Sequence, residues 1–160
     1  YALGAIRRIM GSLEDAYQEG QLYARTKMAE GSLMSGLAFS NTKTTICHSL
    51  SYPMTAMFGV SHGQAVSVTL PAFLIWNGNA FQARLPQLLE AFGAVSIEDA
   101  ASRIRALMTN VGLSVSLNGL GIGDEEIEAV LEQGFYADRA DNNPKPVAIQ
   151  DAREILRSIR

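Results

Sequence analysis

The amino-acid sequence predicts an all-α fold, a multi-helix bundle that forms one domain over residues 1–160. Apolar residues recur at close to 3.6-residue spacing in most long segments, which is the periodicity of an amphipathic helix. No segment shows a convincing strand pattern, and no internal repeat is visible. Hydrophobic residues make up 48% of the chain, which is enough for a sizeable core.

The first half of the chain predicts four helices, over residues 1–18, 21–40, 44–57 and 62–75. Gly20 ends the first. The second is rich in alanine, glycine and serine, so other helices can approach it closely. Pro53 should kink the third helix and Pro71 should kink or interrupt the fourth, because proline removes a backbone donor. Gly59 is expected to end the third helix in a left-handed conformation.

The second half predicts further helices over residues 82–92, from Ser96 onwards, and over 125–132 and 149–159. Ser96 and Asp99 approximate a capping box. Asp124 places acidic residues at the start of its helix, which favours the helix dipole. Residues 112–123 are expected to form a loop, and residues 141–146, with two prolines, an extended connector.

Composition excludes several classes of function. The net charge is −3, so no basic patch predicts a nucleic-acid or anionic-membrane partner. No apolar run reaches the roughly 18 residues that span a bilayer, and no signal peptide is visible. The single cysteine, Cys47, allows no internal disulfide and favours a reducing, cytoplasmic location.

Two features indicate a piece of a larger assembly. Tyr1 opens the chain inside an amphipathic pattern, which suggests that a longer protein precedes it. Charged residues are only 18% of the chain, below the roughly 25% typical of soluble domains. Some apolar surface is therefore expected to face a partner or an absent domain, which favours a homodimer or larger.

The two histidines, His48 and His62, are candidate metal ligands, since imidazole is the commonest ligand. On one straight helix their 14-residue separation would be roughly 21 Å. Gly59 breaks the chain between them, so the two helices can fold back and bring both rings together. Spacing alone leaves other interpretations open: unrelated core or surface histidines, or a cap formed by His62 at the start of its helix.

The flanking sequence resembles the signature of iron-containing (group III) alcohol dehydrogenases. Its motif runs Gly36-Leu-Ala-Phe-Ser-Asn41, His48, Tyr52-Pro53, His62-Gly-Gln-Ala65, Leu70-Pro71 and Asn77. The resemblance extends to the end of the chain through Asp138, Asn143-Pro144 and a closing helix from Asp151. It implies the dehydroquinate-synthase-like C-terminal helical domain of that family, truncated at its N-terminus.

The resemblance also implies the chemistry. His48 and His62 would be two of four ligands to a divalent metal, Fe²⁺ or alternatively Zn²⁺. The other two ligands, an aspartate and a histidine, and most of the NAD or NADP site would lie upstream in the absent part. The full-length enzyme would interconvert a small alcohol and an aldehyde or ketone by hydride transfer, with the metal as Lewis acid. The isolated fragment is expected to be inactive.

Alternative functions remain open from the sequence. The chain could be a non-catalytic helical scaffold or oligomerisation fragment. A related reaction is also compatible, either a zinc-dependent glycerol-type dehydrogenase or a dehydroquinate-synthase-like lyase. The glycine-rich residues 119–123 follow no predicted strand, so they do not indicate a dinucleotide-binding loop.

Three residues near the motif carry their own alternatives. Tyr52 replaces a histidine that many family members have, and it could either line the cleft as a proton donor or pack against its neighbours. Its surroundings resemble a subgroup that includes phosphonoacetaldehyde reductases, which argues against a simple alcohol as substrate. Asn41 could orient a ligand but more often such a residue caps its helix. Cys47 points about 100° away from His48 on a helix, which favours a buried structural thiol.

Overall fold

The computed structural model describes residues 1–18 and 20–160. Its α-helices are α1 (Ala2–Gln18), α2 (Leu22–Phe39), α3 (Ile46–Phe58), α4 (His62–Trp76), α5 (Leu85–Phe92), α6 (Ile97–Asn110), α7 (Asp124–Gly134), α8 (Ala137–Asp141) and α9 (Ile149–Ser158). Two 3-10 helices cover Gly78–Arg84 and Asn118–Leu120. Within the described ranges every regular element is helical and no strand occurs. The predicted all-α class is confirmed.

The four helices predicted in the first half are confirmed, each within two residues at either end. Pro53 lies inside α3 and Pro71 lies inside α4, and both helices continue through their prolines. Gly59 ends α3 with φ of 69°, a left-handed conformation that glycine adopts without steric cost. The predicted break between the two histidines is therefore present, and α4 begins directly at His62.

The later helices match less closely. The prediction of an α-helix from residue 82 was wrong at its start, because the segment before Leu85 is a 3-10 helix. Pro86 lies in the first turn of α5, where the missing N–H is tolerated, so the α-helix begins there. The Ser96 cap is confirmed, since its hydroxyl accepts from the Asp99 N–H at 3.1 Å. The short α8 was not predicted; it ends within the segment expected to be an extended connector.

The chain divides into two compact units, the first comprising residues 1–43 and 82–113. In this unit α1 packs against α2, α5 and α6. Gly31 on α2 lets the two long helices approach, because an added Cβ would lie 3.1 Å from Ile9 Cγ1. The rest of α2 is mostly exposed and leaves large apolar side chains uncovered, namely Leu22, Tyr23, Leu33 and Phe39. The expectation that another helix approaches the small residues of α2 closely is confirmed for α1.

The second unit comprises residues 44–81 and 114–160 and carries both histidines. In this unit α3 packs against α4, α7 and α8, while α9 packs against α7 and α4. Its core consists of side chains that are at most 2% exposed, among them Ile46, Leu50, Met54, Val68, Ile127, Val130, Leu131 and Leu156. On α3 and α7 these residues recur three or four positions apart, which places them on one face of each helix.

Buried asparagines tie the end of α4 to the segment that joins α8 and α9. Asn143 donates its side-chain amide to Asn77 Oδ1 at 2.7 Å, and the Lys145 N–H donates to the same oxygen at 3.1 Å. The Lys145 ammonium lies 3.3 Å from the centre of the Trp76 ring. This network holds the connector after α8 against α4.

No helix among the described residues combines the length and the hydropathy that crossing a membrane requires. The chain divides into two compact units by its internal contacts. The expectation that residues 1–160 form a single domain stays a prediction.

Candidate metal centre

Helices α3 and α4 place three rings beside one another. His48 lies in the first turn of α3, and Tyr52 follows one turn later on the same face, because residues four apart are neighbours on a helix. His62 is the first residue of α4, three residues after the Gly59 turn. The turn at Gly59 thus reverses the chain, so that the start of α4 lies against α3 and the His62 ring comes beside the His48 ring.

The two imidazoles are close enough to share a metal ion. Their ring centroids are 5.6 Å apart and the rings are inclined by 65°. A metal–nitrogen bond is about 2.1 Å, so the centroids of two rings on one ion lie no more than about 6.4 Å apart. The observed separation is within that limit, so the donor pair fits a divalent metal.

Tyr52 and Ser51 surround the His62 ring. The Tyr52 ring is parallel to it, with centroids 6.0 Å apart and an interplanar angle of 5°. Ser51 Oγ lies 3.3 Å from His62 Nδ1 and also donates to the His48 carbonyl oxygen at 2.7 Å. Ser51 is fully buried, whereas Tyr52 is 45% exposed. His62 itself is exposed, so its ring is supported by neighbours and accessible from outside.

Burial lowers the pKa of His48 below its usual value near 6.5, and repulsion from a charged His62 and from Arg139 lowers it further. The partly buried His48 imidazole is therefore neutral at neutral pH. Neutral imidazole is the form that binds a metal, because the ligating nitrogen must offer a lone pair.

Arg139 brings a positive charge to the start of α3. It lies on α8, which packs against α3, and its guanidinium donates to Thr44 Oγ1, four residues before His48. The carboxylate of Asp138 is 3.8 Å from Arg139 Nε and is 63% exposed, so solvent screens that ion pair. The neighbourhood of His48 is thus electropositive.

An open cavity of about 460 Å³ lies beside Tyr52, one of the three neighbouring rings. Its lining consists of Tyr52, Pro53, Ala56, Met57, Gln133 and Tyr136. Both tyrosines are about half exposed. The cavity belongs to the unit that holds the histidines, and its lining follows α3 from Tyr52 to Met57.

Cys47 is buried in α3, and Asn41 caps α2. Cys47 is 6% exposed, and burial raises the pKa of its thiol to about 11, so it stays protonated. The expectation of a buried structural thiol is confirmed. Asn41 donates to the Leu37 carbonyl oxygen at 2.8 Å, which caps the last turn of α2.

The histidine pair offers two candidate ligands. Among the residues that the structure describes, no group of three or more His, Cys, Asp or Glu side chains is placed to hold a metal. The glycine-rich residues 119–123 form a 3-10 turn and the start of α7, with no strand before them in the described ranges.

Sequence reasoning did not identify Ser51 or Arg139. Ser51 lies three residues after His48. Only this spacing could have indicated that its hydroxyl bonds back to the His48 carbonyl oxygen. Arg139 lies 91 positions after His48, between the motif residues Asp138 and Asn143. No local pattern connects it with the histidines, since their proximity depends on the packing of α8 against α3.

Comparison with known proteins gives a consistent assignment. The family described as "Fe-containing alcohol dehydrogenase family, C-terminal" matches residues 1–160. Long-chain-alcohol dehydrogenase 1 of Geobacillus thermodenitrificans is 30% identical over 96% of the chain and 42% of its own length. The NAD-dependent methanol dehydrogenase of Bacillus methanolicus is 26% identical over 99% of the chain and 44% of its own.

Solved structures agree with the family match. Sulfoacetaldehyde reductase from Bifidobacterium kashiwanohense, in complex with NAD⁺, has a TM-score of 0.89 and 26% identity, covering 98% of this chain and 42% of its own. An alcohol dehydrogenase from Oenococcus oeni has a TM-score of 0.87 and 26% identity, covering 99% and 44%. The chain therefore spans less than half the length of these relatives. It belongs to the Fe-containing alcohol dehydrogenase family, whose C-terminal helical domain it forms.

Proposed function

We propose that the full-length protein is an NAD(P)-dependent alcohol dehydrogenase in which His48 and His62 are two of the metal ligands. The observation that carries this proposal is the pair of imidazoles, 5.6 Å apart, one from the first turn of α3 and one from the start of α4. The metal is Fe²⁺, as the family name implies, with Zn²⁺ as the alternative because imidazole accepts both. The remaining ligands and most of the nucleotide site lie in the part that this chain does not include.

When bound, the metal would supply Lewis acidity to the substrate oxygen and the nicotinamide would supply or accept the hydride. His48 and His62 would hold the metal through ring nitrogens. Tyr52 lines the open cavity of about 460 Å³, where its phenol can donate or accept a hydrogen bond. Its parallel contact with the His62 ring supports a packing role beside that polar one.

The relatives act on substrates of different charge, from methanol and long-chain alcohols to sulfoacetaldehyde. The positive charge of Arg139 favours, as the substrate of this protein, an aldehyde that carries an anionic group, such as a phosphonate or sulfonate. Its guanidinium is 31% exposed beside the first turn of α3, and its nearest carboxylate is 3.8 Å away and screened. A planar guanidinium matches the oxygens of such a group in bidentate fashion.

Replacing Arg139 with glutamine in the full-length enzyme should therefore lower kcat/KM for an anionic aldehyde by about 10- to 100-fold, since a charge-assisted contact is lost. A neutral aldehyde of equal length should be reduced at an unchanged rate. The matched control is Arg103→Gln on α6, an exposed arginine of the other unit that pairs with Asp99. An equal loss for both aldehydes would contradict a role of Arg139 in substrate choice.

The 160-residue chain alone is expected to show no dehydrogenase activity. It offers two metal ligands, which hold a metal weakly, and the rest of the site is supplied by the upstream part. Turnover is measured as NADH or NADPH absorbance with metal added, beside the full-length enzyme at equal concentration. Activity in the full-length protein and none in the chain supports the proposal. Turnover by the chain alone would contradict it, and inactivity of both would favour the scaffold alternative.

The cytoplasm is the proposed location, and a homodimer or larger assembly the proposed state. The single buried cysteine favours a reducing compartment. The exposed apolar side chains of α2 favour an assembly in which another subunit covers them. A glycerol-type dehydrogenase or a dehydroquinate-synthase-like lyase remains the alternative reaction. Reduction of an aldehyde with consumption of NAD(P)H distinguishes a dehydrogenase from the lyase.

A further inference from the structure

We propose that Ser51 is a positioning residue that keeps His62 protonated at Nδ1 and so directs His62 Nε2 to the metal. This inference rests on the proposed function of the histidine pair. It adds a residue that lies on α3, one turn from His48, and that touches both ligands. Ser51 does not itself bind metal or substrate in this proposal.

The hydrogen bonds of Ser51 determine the direction of the contact with His62. A serine hydroxyl has one proton to donate and two lone pairs that accept. Ser51 donates that proton to the His48 carbonyl oxygen at 2.7 Å, three residues earlier in the helix. Toward His62 Nδ1, at 3.3 Å, Ser51 Oγ can then only accept. The donor in this contact is the Nδ1–H of His62.

This assignment leaves His62 Nε2 unprotonated in the neutral ring. A neutral imidazole carries one N–H and one lone pair, and the hydrogen bond of one nitrogen decides which form is present. Metal-binding histidines commonly donate their other N–H to a fixed acceptor, which orients the ring and raises its basicity. Ser51 provides that acceptor from a fully buried position, where water does not compete.

Ser51 also links the two ligands mechanically. Its donor side is held by the backbone of His48, and its acceptor side meets the ring of His62. The Tyr52 ring lies parallel to the same imidazole on its face. His62 is exposed and starts α4, so these two neighbours are what hold its ring toward His48.

A purely structural role is the competing explanation, since Ser51 satisfies a helix carbonyl. Ser49 offers a matched control on the same helix. Both serines are fully buried, and Ser49 likewise donates its hydroxyl to a carbonyl oxygen, that of Gly134, at 2.5 Å. The Ser49 hydroxyl bonds neither histidine. Ser51→Ala and Ser49→Ala therefore remove the same atom and the same kind of bond, and only the first removes the acceptor of His62.

The experiment measures the dissociation constant for Zn²⁺, with a competing chelator at neutral pH, in the full-length protein and its variants. Thermal unfolding of the metal-free proteins is recorded beside it. Ser51→Ala should weaken metal binding by about 10- to 100-fold, while Ser49→Ala stays within about threefold of the unmodified protein. Both should lower thermal stability by similar amounts. Ser51→Thr keeps the hydroxyl and should bind metal nearly as well as the parent.

Equal metal affinity in both alanine variants would overturn the proposal. Weak binding by the threonine variant, at the level of Ser51→Ala, would also overturn it, because the hydroxyl would then not matter. The Co²⁺ absorption spectrum gives a second readout: it should change in Ser51→Ala and not in Ser49→Ala. A His62→Ala variant that binds metal normally would reject the ligand assignment itself, whereas metal loss there with unchanged Ser51→Ala rejects only the role of Ser51.

Discussion

Replacing His62 with alanine in the full-length enzyme should lower metal affinity by more than about 100-fold, a larger loss than removal of a supporting residue causes. One of the two ligands of this domain would be gone, and the His48 ring 5.6 Å away could not replace it. Bound metal is measured by elemental analysis after dialysis at fixed free metal. Activity with NAD(P)H and an aldehyde should fall in proportion to the metal lost.

Tyr52→Phe is the control for His62→Ala. Phenylalanine keeps a ring that can stack on His62 but removes the phenol, so the metal content should not change. His62 is exposed at the start of α4, so its replacement should leave the unfolding transition nearly intact. Unchanged metal content in folded His62→Ala would remove this residue from the ligand set and leave the pair unexplained.

Local sequence signals were sufficient to predict α1 to α4, namely apolar periodicity in α1 and chain breakers such as Gly20 and Gly59 between the helices. Gly59 shows why the prediction reached the site as well as the fold: a left-handed residue between two apolar segments ends one helix and reverses the chain. The pairing of His48 with His62 followed from that break. Their chemical role did not follow from spacing and came from the resemblance of the surrounding motif.

Elements that depend on tertiary packing were not predictable in the same way. Residues 78–84 form a 3-10 helix, whereas an α-helix was expected from residue 82 onwards. The short α8 is too brief to show a period, since five residues are little more than one turn. Arg139 belongs to this helix, so its proximity to His48 could not be inferred from the sequence.

A substitution of Gly134 by alanine should destabilise the protein by about 1–3 kcal/mol, toward the upper end of that range. Gly134 ends α7 where it meets α3. An added Cβ would lie 2.7 Å from Pro53 Cγ and 3.0 Å from the Ser49 carbonyl oxygen. Neither neighbour is a flexible side-chain end, because one is a closed ring and the other is backbone. Thermal unfolding of the full-length protein measures the loss.

Gly11→Ala in α1 is the matched control, since no heavy atom lies within 4 Å of its added Cβ. There the substitution should raise stability slightly, because alanine favours the helix by about 1 kcal/mol over glycine.

The Gly134 clash has a second consequence, because relief requires α3 to move away from α7. His48 lies one residue before Ser49, whose backbone oxygen is one of the clashing atoms, so that movement would carry the candidate metal ligand with it. Metal affinity should therefore fall together with stability in Gly134→Ala. Full stability in that variant would contradict the close contact between α3 and α7.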